Sequence, residues 1–260
     1  FYDHSTGVVN NCIINDNVAS NSGGGVYIQY AGSVSNSRIS DNSVVSPASG
    51  SGGGVSMVHG GRLVNSVVIS NSAQFRGGGI HTRYGGYVAH CTVADNKCIG
   101  QGGGLWMAND CTTWNNIVYY NIASISNNMW VHSSVVSNSC TTPGLGGSNF
   151  TNEPLFVNRN ARNFHLAAGS PCIDAGGTHP AVNVDYEGNP RPVAGPGGGQ
   201  PKYDVGAYEY QTAWDAGYTD IGGGWRRLTW FGDYVPMGDW IFHNKHGFWY
   251  PSPSSTPQNI

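Results

Sequence analysis

The acidic residues in the first half of the chain are its candidates for chemistry on a polysaccharide. Glycoside hydrolysis needs two facing carboxylates, and elimination needs an acidic, calcium-binding cluster with a base. After the first few residues these acids are Asp16, Asp41, Asp95 and Asp110. Three of them directly precede a regularly spaced asparagine, and Ser70 and Tyr120 take the same place in other copies. A turn-capping role explains that spacing better than catalysis, so we predict that the chain is not an enzyme.

Basic residues in the same part of the chain could bind the acidic groups of a glycan. They are Arg38, Arg62, Arg76 and Arg83. Because they fall at different positions of the repeat described next, the sequence favours solvated surface side chains over a binding site. No nucleophile motif, Ser/His/Asp arrangement or metal-ligand spacing accompanies them.

An internal repeat organises the elements that carry these residues. Triple glycines recur at steps of 29, 25 and 25 residues, beginning at Gly23, Gly52, Gly77 and Gly102. A second series keeps the same phase and consists of Asn17, Asn42, Asn71, Asn96 and Asn121. Self-similarity at a fixed period of this size is typical of a solenoid.

The composition of each repeat predicts strands rather than helices. The runs are short, rich in Val, Ile, Thr and Tyr, and bounded by Gly, Asn, Asp and Ser. Three such runs per repeat, such as Ile80 to Arg83, Tyr87 to His90 and Cys91 to Val93, fit one turn of a right-handed parallel β-helix with rungs about 4.8 Å apart. The fold class is therefore all-β. In register, the asparagines would form a hydrogen-bonded structural ladder, and the glycines would permit positive φ at the bends.

The six cysteines are an even number, which is compatible with disulfides in a secreted protein. Cys12 and Cys91 share one repeat position three rungs apart, about 14 Å at the strand spacing, which is too far for a bridge. Cys140 and Cys172 lie in the irregular part of the chain and are the predicted disulfide pair. No Cys/His cluster is present, so we predict neither a metal site nor a cofactor.

The region after the repeats carries a family resemblance. The period falters after Asn121, and a Gly/Pro-rich loop occupies residues 141–148. Residues 152–176 read NEPLFVNRNARNFHLAAGSPCIDAG, and DYEGNPRP and YDVGAYEY follow. With the GGG and Asn-marked rungs, these strings resemble bacterial secreted right-handed parallel β-helix surface proteins, including the polymorphic outer-membrane proteins. The resemblance implies the fold and an extracellular or cell-surface location.

The closing region has an expected structural role. Its apolar residues would cover the open end of the solenoid core, as a terminal repeat must: Phe156, Phe164, Leu166, Ile173 and Val205. Its acidic and amide side chains could bind calcium, but the sequence favours turn caps: Asp174, Asp185, Glu187, Asn189 and Asp204. We therefore divide the chain into regular rungs (1–148), closing rungs and cap (149–210), and an aromatic C-terminal module (211–260).

The C-terminal module is dense in aromatic residues, which can give a segment of this size a core. Its runs Trp240 to His243 and Phe248 to Tyr250 flank a four-residue connection and predict a β-hairpin. The alternative role of these rings is a protein interface or a platform for sugar stacking, with Trp225, Trp230, Trp240, Trp249 and Tyr250 as candidates. His243 and His246 have no third ligand in the sequence, so a metal site is not expected there.

The composition argues against nucleic-acid binding and against a membrane-spanning segment. Charged residues are 10% of the chain and the net charge is −3, so no basic patch for nucleic acid is predicted, and no apolar run could span a membrane. We expect a non-enzymatic extracellular structural protein that assembles with itself head to tail into a filament or layer, through a bare N-terminal rung and the C-terminal module. The alternative is a monomeric glycan-binding surface protein or adhesin. A polysaccharide lyase or hydrolase is less favoured.

Overall fold

The computed structural model describes residues 7–178, 182–196, 199–211, 219–228, 232–237 and 240–249. The protein is all-β, with a parallel β-solenoid followed by a separate antiparallel sheet. The chain forms two compact units, one of residues 1–193 and 201–210, the other of residues 194–200 and 211–260. The prediction of a parallel β-helix with rungs of about 25 residues is confirmed, since paired strands are 25 or 29 positions apart in the first five rungs.

Four parallel sheets, rather than the three predicted runs per rung, form the walls of the solenoid. Sheet A contains Val8–Asn10, Ser33–Ser35, Arg62–Val64, Tyr87–Ala89, Thr112–Trp114 and Val135–Ser137. Sheet B contains Ile13–Asn15, Arg38–Ser40, Val67–Ile69, Thr92–Ala94, Ile117–Tyr119 and Cys140–Thr141. Sheet C contains Val18–Ala19, Ser43–Val44, Ser72–Ala73, Lys97–Gln101 and Ile122–Ile125. Sheet D contains Val26–Gln29, Val55–Val58, Ile80–Arg83, Leu105–Ala108 and Met129–His132.

Alternate residues of these strands point into one continuous apolar core, as the strand period requires. In sheet D the inward pairs include Val55 with Met57 and Leu105 with Met107, all fully buried. Identical rung positions stack on one another, for example Ile39, Val68 and Val93 in sheet B. The core therefore runs along the solenoid axis, and the remaining side chains of each strand form its outer faces.

The triple glycines are needed because the rungs approach closely. The first glycine of each triplet has positive φ, as at Gly77 (61°). A Cβ on the second would collide with backbone, since at Gly78 it would lie 2.3 Å from the Lys97 carbonyl oxygen and 2.4 Å from that of Gly103. Glycine meets both requirements, and the structure gives these residues a structural role.

The closing region does not cover the end of the core, and that prediction was wrong. It pairs Phe156–Asn158 with Asn163–Leu166 around a 3-10 turn, Arg159–Ala161, and lies along the outer face of sheet B. There its apolar side chains join two buried clusters with outward residues of the rungs: Val67, Ile69 and Ala94 in one, Ile117 and Cys140 in the other. The physical reason is that sheet B is apolar on both faces in its middle rungs, so its outer face must also be buried.

Two corner aspartates anchor this closing region. Asp41 and Asp95 have positive φ at the turn before sheet C, and they form ion pairs with Arg162 and Arg159. Arg162 holds the pKa of Asp41 below its usual range through the side-chain hydrogen bond. The carboxylates that the sequence offered as candidate catalytic groups thus serve the corner and the docking of the closing region.

The C-terminal unit is more than the predicted hairpin. It is a five-stranded antiparallel sheet in chain order: Thr219–Gly222, Trp225–Leu228, Gly232–Met237, Trp240–His243 and Gly247–Trp249. The predicted hairpin is confirmed as its last two strands, with Ile241 opposite Trp249 and Phe242 opposite Phe248. Tyr234, Ile241 and His243 are buried in this unit.

Candidate ligand-binding surface

The five predicted ladder asparagines come together at the corner between sheets B and C. Each side-chain oxygen from Asn42 to Asn121 accepts both the backbone N–H and the side-chain N–H of the preceding ladder residue, at 2.9 to 3.0 Å. Asn128, which the sequence analysis did not include, ends the series by accepting the same two bonds from Asn121. The ladder is a structural device, since every amide is used within it.

The aromatic candidates of the C-terminal unit are only partly described. Trp225, Phe242 and Phe248 contact edge to face, with the Phe242 and Phe248 ring centroids 5.1 Å apart. Trp240 is 50% exposed. The backbone of Trp249 belongs to the last strand, while Trp230 and Tyr250 lie outside the described residues. Of the five candidates, the structure places Trp225 near Phe242, while the side chains of Trp230, Trp249 and Tyr250 lie outside what the structure describes.

Cys140 and Cys172 are brought together, but as free thiols. Both are buried in the cluster where the closing region meets sheet B. Burial raises the pKa of the Cys172 thiol, and the hydrogen bond to Cys140 raises it further. A disulfide between them stays a prediction.

A buried polar network, which the sequence analysis did not find, joins the closing region to the A–B corner. Arg191 Nε donates to Glu209 Oε2 at 3.0 Å, and Arg191 Nη1 lies 3.0 Å from His90 Nδ1. Glu209 Oε1 also accepts the Val193 N–H at 2.7 Å. Burial and the neighbouring Glu209 raise the pKa of Asp204 to about 8. All these groups point at one another rather than at a cleft, so the network is structural.

The acidic residues of the closing region cap turns, which confirms that prediction for two of them. Asp185 Oδ1 accepts the N–H groups of Glu187 and Asn189, both at 2.9 Å. Asp204 Oδ1 accepts the Asp174 N–H at 2.7 Å. Within the part of the chain that the structure describes, no group of three or more His, Cys, Asp or Glu side chains could hold a metal ion.

The outer face of sheet D carries a column of stacked rings. His81 lies 4.9 Å from Trp106, and Trp106 lies 4.8 Å from Trp130 with an angle of 1° between the ring planes. Trp106 Nε1 donates to Gln101 Oε1 at 3.1 Å, which fixes the central ring. His81 and Trp106 are buried in the column, whereas Trp130 is half-buried. The column therefore presents mainly its last ring, Trp130.

A second ring column follows the corner between sheets D and A. Tyr30 and His59 stack at 5.3 Å, and His59 and Tyr84 stack at 4.8 Å. All three have positive φ, which is uncommon for such large side chains. Tyr30 is 39% exposed and Tyr84 36% exposed. This corner holds an accessible aromatic ridge where a smaller residue would fit the backbone more easily.

Three arginines lie on rings of the same surface. Arg62 lies 4.6 Å above the Tyr87 ring, and Arg83 lies 4.3 Å above Tyr84. Arg76 contacts two rings, Phe75 at 4.4 Å and Trp106 at 4.5 Å. No ion pair involves these three residues in the described structure, whereas Arg159, Arg162 and Arg191 are each paired with a carboxylate. We call this surface, formed by the outer face of sheet D and its corner with sheet A, the arginine–aromatic face.

The electrostatics of this face are those of a site that favours anions. Burial, with the charges of Arg76 and Arg83, lowers the pKa of His81 to about 3, so that ring is neutral at ordinary pH. Burial and the charge of Arg83 also lower the pKa of Arg76. Asp110, at the same corner one rung beyond Gly85, is a nearby acid. Three of the four arginines that the sequence placed at unrelated repeat positions, Arg62, Arg76 and Arg83, thus lie on this face, whereas Arg38 belongs to sheet B. Arg62 is exposed, as the prediction of solvated side chains expects, and Arg76 and Arg83 are half-buried.

The fold and this surface define a parallel β-solenoid with an arginine–aromatic outer face. Comparisons with protein-family models, curated proteins and solved structures gave no significant match. Among the described residues, no helix has the length and apolar character needed to cross a membrane.

Proposed function

We propose that this protein is an extracellular, non-enzymatic surface protein that binds a glycan along its arginine–aromatic face. The observation that carries the proposal is that Arg62, Arg76 and Arg83 lie on aromatic rings with no carboxylate partner. Rings supply flat apolar contact area, and guanidinium groups supply directed hydrogen-bond donors. The resemblance of the closing region to secreted bacterial proteins supports the extracellular location.

The non-enzymatic part of the proposal rests on where the carboxylates are. Asp41 and Asp95 pair with arginines of the closing region. Asp185 and Asp204 accept backbone N–H groups. Hydrolysis and elimination need free acids and bases facing the substrate, and Asp110 is an acid at the corner between sheets D and A, beside the arginine–aromatic face.

The first prediction concerns binding without cleavage. The full chain should bind an acidic polysaccharide, measured by the retardation of the protein in gels that contain the polymer. Overnight incubation should release no reducing ends and no unsaturated products. Because the contacts include exposed charges, 0.5 M salt should weaken the retardation. Retardation in no polysaccharide gel would contradict the proposal, and product release would contradict its non-enzymatic part.

Self-association is a second candidate function, favoured by the last rung. Strands Met129–His132 and Val135–Ser137 are edge strands of sheets D and A, and their inward residues Val131 and Val136 are only partly buried. The Val136 carbonyl accepts the Asn149 side-chain N–H at 2.9 Å, so the open edge is chiefly that of Met129–His132. Free strand edges of this kind can pair with a second copy of the chain, and a head-to-tail contact produces open filaments.

The second prediction tests that candidate by electron microscopy of the concentrated protein. Filaments or layers that disappear in Val136→Lys would support self-association, because a charge would then lie at the exposed end of the core. The matched control is Val135→Lys, whose side chain is already exposed on the outer face. Single particles at every concentration would exclude this candidate.

A further inference from the structure

We propose that Arg76 and Arg83 form an oxyanion site on the arginine–aromatic face, for a sulfate or carboxylate group carried by a glycan. The inference rests on the proposed function and names the class of ligand. No carboxylate in the described structure forms an ion pair with either of these two side chains.

The first step is that Arg76 is held in place without a polar partner. Its guanidinium carbon lies 4.4 Å from the Phe75 ring centroid and 4.5 Å from that of Trp106. Trp106 is itself fixed by the Gln101 hydrogen bond and by stacking on Trp130. The Nε atom of Arg76 is buried and has no hydrogen-bond partner. Burial closes this Nε atom to a ligand, but the two terminal guanidinium nitrogens make no hydrogen bond in the described structure. They are the donors that an oxyanion would meet.

The second step is that Arg76 precedes, and Arg83 ends, the same sheet D strand Ile80–Arg83, and both carry a positive charge. Arg83 lies on Tyr84 at the end of the strand that also carries His81. Its charge lowers the pKa of Arg76, an effect that adds to burial. Neither guanidinium has an ion-pair partner in the described structure, although Asp110 lies at the same corner one rung beyond Gly85. An anion between the two arginines would convert repulsion into two attractions.

The third step concerns the side chain between them. His81 Nδ1 lies 3.1 Å from Ser56 Oγ, and the ring is stacked on Trp106. Burial, together with the charges of both arginines, lowers the pKa of His81 to about 3, so the ring adds no positive charge. The charge of the site therefore comes from the two arginines, whose forked donors match the oxygens of a carboxylate or a sulfate. The adjoining Tyr30, His59 and Tyr84 rings provide apolar area against which the sugar that carries the anion would stack.

The test measures the affinity of the full chain for three polymers of similar length by isothermal titration calorimetry. The polymers are dextran sulfate, polygalacturonate and neutral dextran. Arg76→Gln and Arg83→Gln should each weaken binding of a charged polymer by about tenfold or more, since a hydrogen bond to a charged group is lost. Arg76→Lys should give an intermediate affinity, because it keeps the charge and loses the fork. The polymer that the wild-type protein prefers identifies sulfate or carboxylate as the group bound.

The matched control is Arg159→Gln, which removes the same charge from a corner where the arginine is already paired with Asp95. It should bind like the wild-type protein.

Asp110→Asn should tighten binding, because it removes the nearby acid. Unchanged thermal unfolding of Arg76→Gln would exclude a folding defect. If Arg76→Gln unfolds at a lower temperature than the wild-type protein, the binding result of Arg83→Gln alone tests the inference, because the Arg83 side chain is only half-buried.

Several results would overturn the inference. Binding of a charged polymer with equal affinity by wild type, Arg76→Gln and Arg83→Gln would place the anion elsewhere and leave the proposed function standing. Equal losses in Arg159→Gln would show a nonspecific charge effect. Binding of neutral dextran alone would also remove the oxyanion site while keeping glycan binding. Binding of no polymer would contradict both the inference and the proposed function.

Discussion

Asn96→Ala is expected to lower the free energy of unfolding by about 4 kcal/mol. The Asn96 oxygen accepts two hydrogen bonds from Asn71, at 2.9 and 3.0 Å. Its amide donates to the Val68 and Ala94 carbonyls and to Asn121. Asn96 is fully buried, so alanine would leave the Asn71 N–H without its acceptor and without water, and would remove one of the hydrogen bonds that the Val68 and Ala94 carbonyls accept. Urea denaturation of the two proteins measures the difference.

The control for this prediction is Asn17→Ala at the exposed end of the same ladder. Asn17 donates to Asn42 and to the Asn15 carbonyl, and water can replace both contacts. This variant should lose less than about 1 kcal/mol. Equal losses at Asn17 and Asn96 would contradict a ladder whose contribution comes from burial.

Arg191→Met is expected to destabilise the protein by about 3–5 kcal/mol at pH 8, because it leaves buried carboxylates without their cation. Arg191 and Glu209 are both fully buried, and the pKa of Glu209 is raised chiefly by burial, as is that of Asp204. An acid whose folded pKa is raised binds its proton more tightly when folded. Its ionisation therefore costs stability as pH rises from the unfolded pKa, near 4, through the folded value.

The loss in Arg191→Met should accordingly be smaller at pH 5 than at pH 8, which denaturation at the two pH values measures. The double variant Arg191→Met/Glu209→Gln should recover much of the loss, because one buried charge is removed with its partner. The control is Arg162→Met, where an exposed pair with Asp41 is broken and a loss below about 1 kcal/mol is expected. A pH-independent loss in Arg191→Met would contradict the electrostatic explanation.

The solenoid itself could be predicted because each rung repeats the same residue types, a triple glycine and a ladder asparagine, at the same places. Asn42, Asn71 and Asn96 take the same place in successive rungs, although the first step is 29 residues and the second 25. The longer step is absorbed in the loop between Ser43–Val44 and Val55–Val58, so the spacing still gave both the period and the ladder. The number of sheets could not be predicted in the same way. Sheet C contributes two-residue strands such as Ser72–Ala73, which are too short to show an alternation of apolar and polar residues.

The position of the closing region had a signal that could have been used. Val67–Ile69 and Ile117–Tyr119 are continuous apolar or aromatic triplets, whereas Arg38–Ser40 in the same sheet places polar residues outward. A strand without a polar face is a strand buried on both sides. Reading those triplets as doubly buried would have placed the closing region on sheet B rather than over the end of the core.

The arginine–aromatic face could not be predicted from the positions of its arginines within the repeat, because the three positions differ. Arg76 lies in the loop before a triple glycine, Arg83 at the end of a sheet D strand and Arg62 at the start of a sheet A strand. Their proximity depends on how the loop before Gly77 stacks against its neighbours, through the bridges Ser51–Arg76 and Arg76–Gln101. These three arginines come together only when the rungs stack, so their spacing along the chain does not show it.

One comparison of affinities tests most directly the claim that the solenoid, rather than the C-terminal unit, binds the glycan. Affinity for the polysaccharide bound by the wild-type protein is measured for Tyr30→Ala/Tyr84→Ala, at the exposed corner column, and for Trp240→Ala/Phe248→Ala, at the exposed rings of the C-terminal sheet. The account predicts that the first pair weakens binding by about tenfold or more and that the second leaves it unchanged. Loss of binding in the Trp240→Ala/Phe248→Ala variant alone would contradict it.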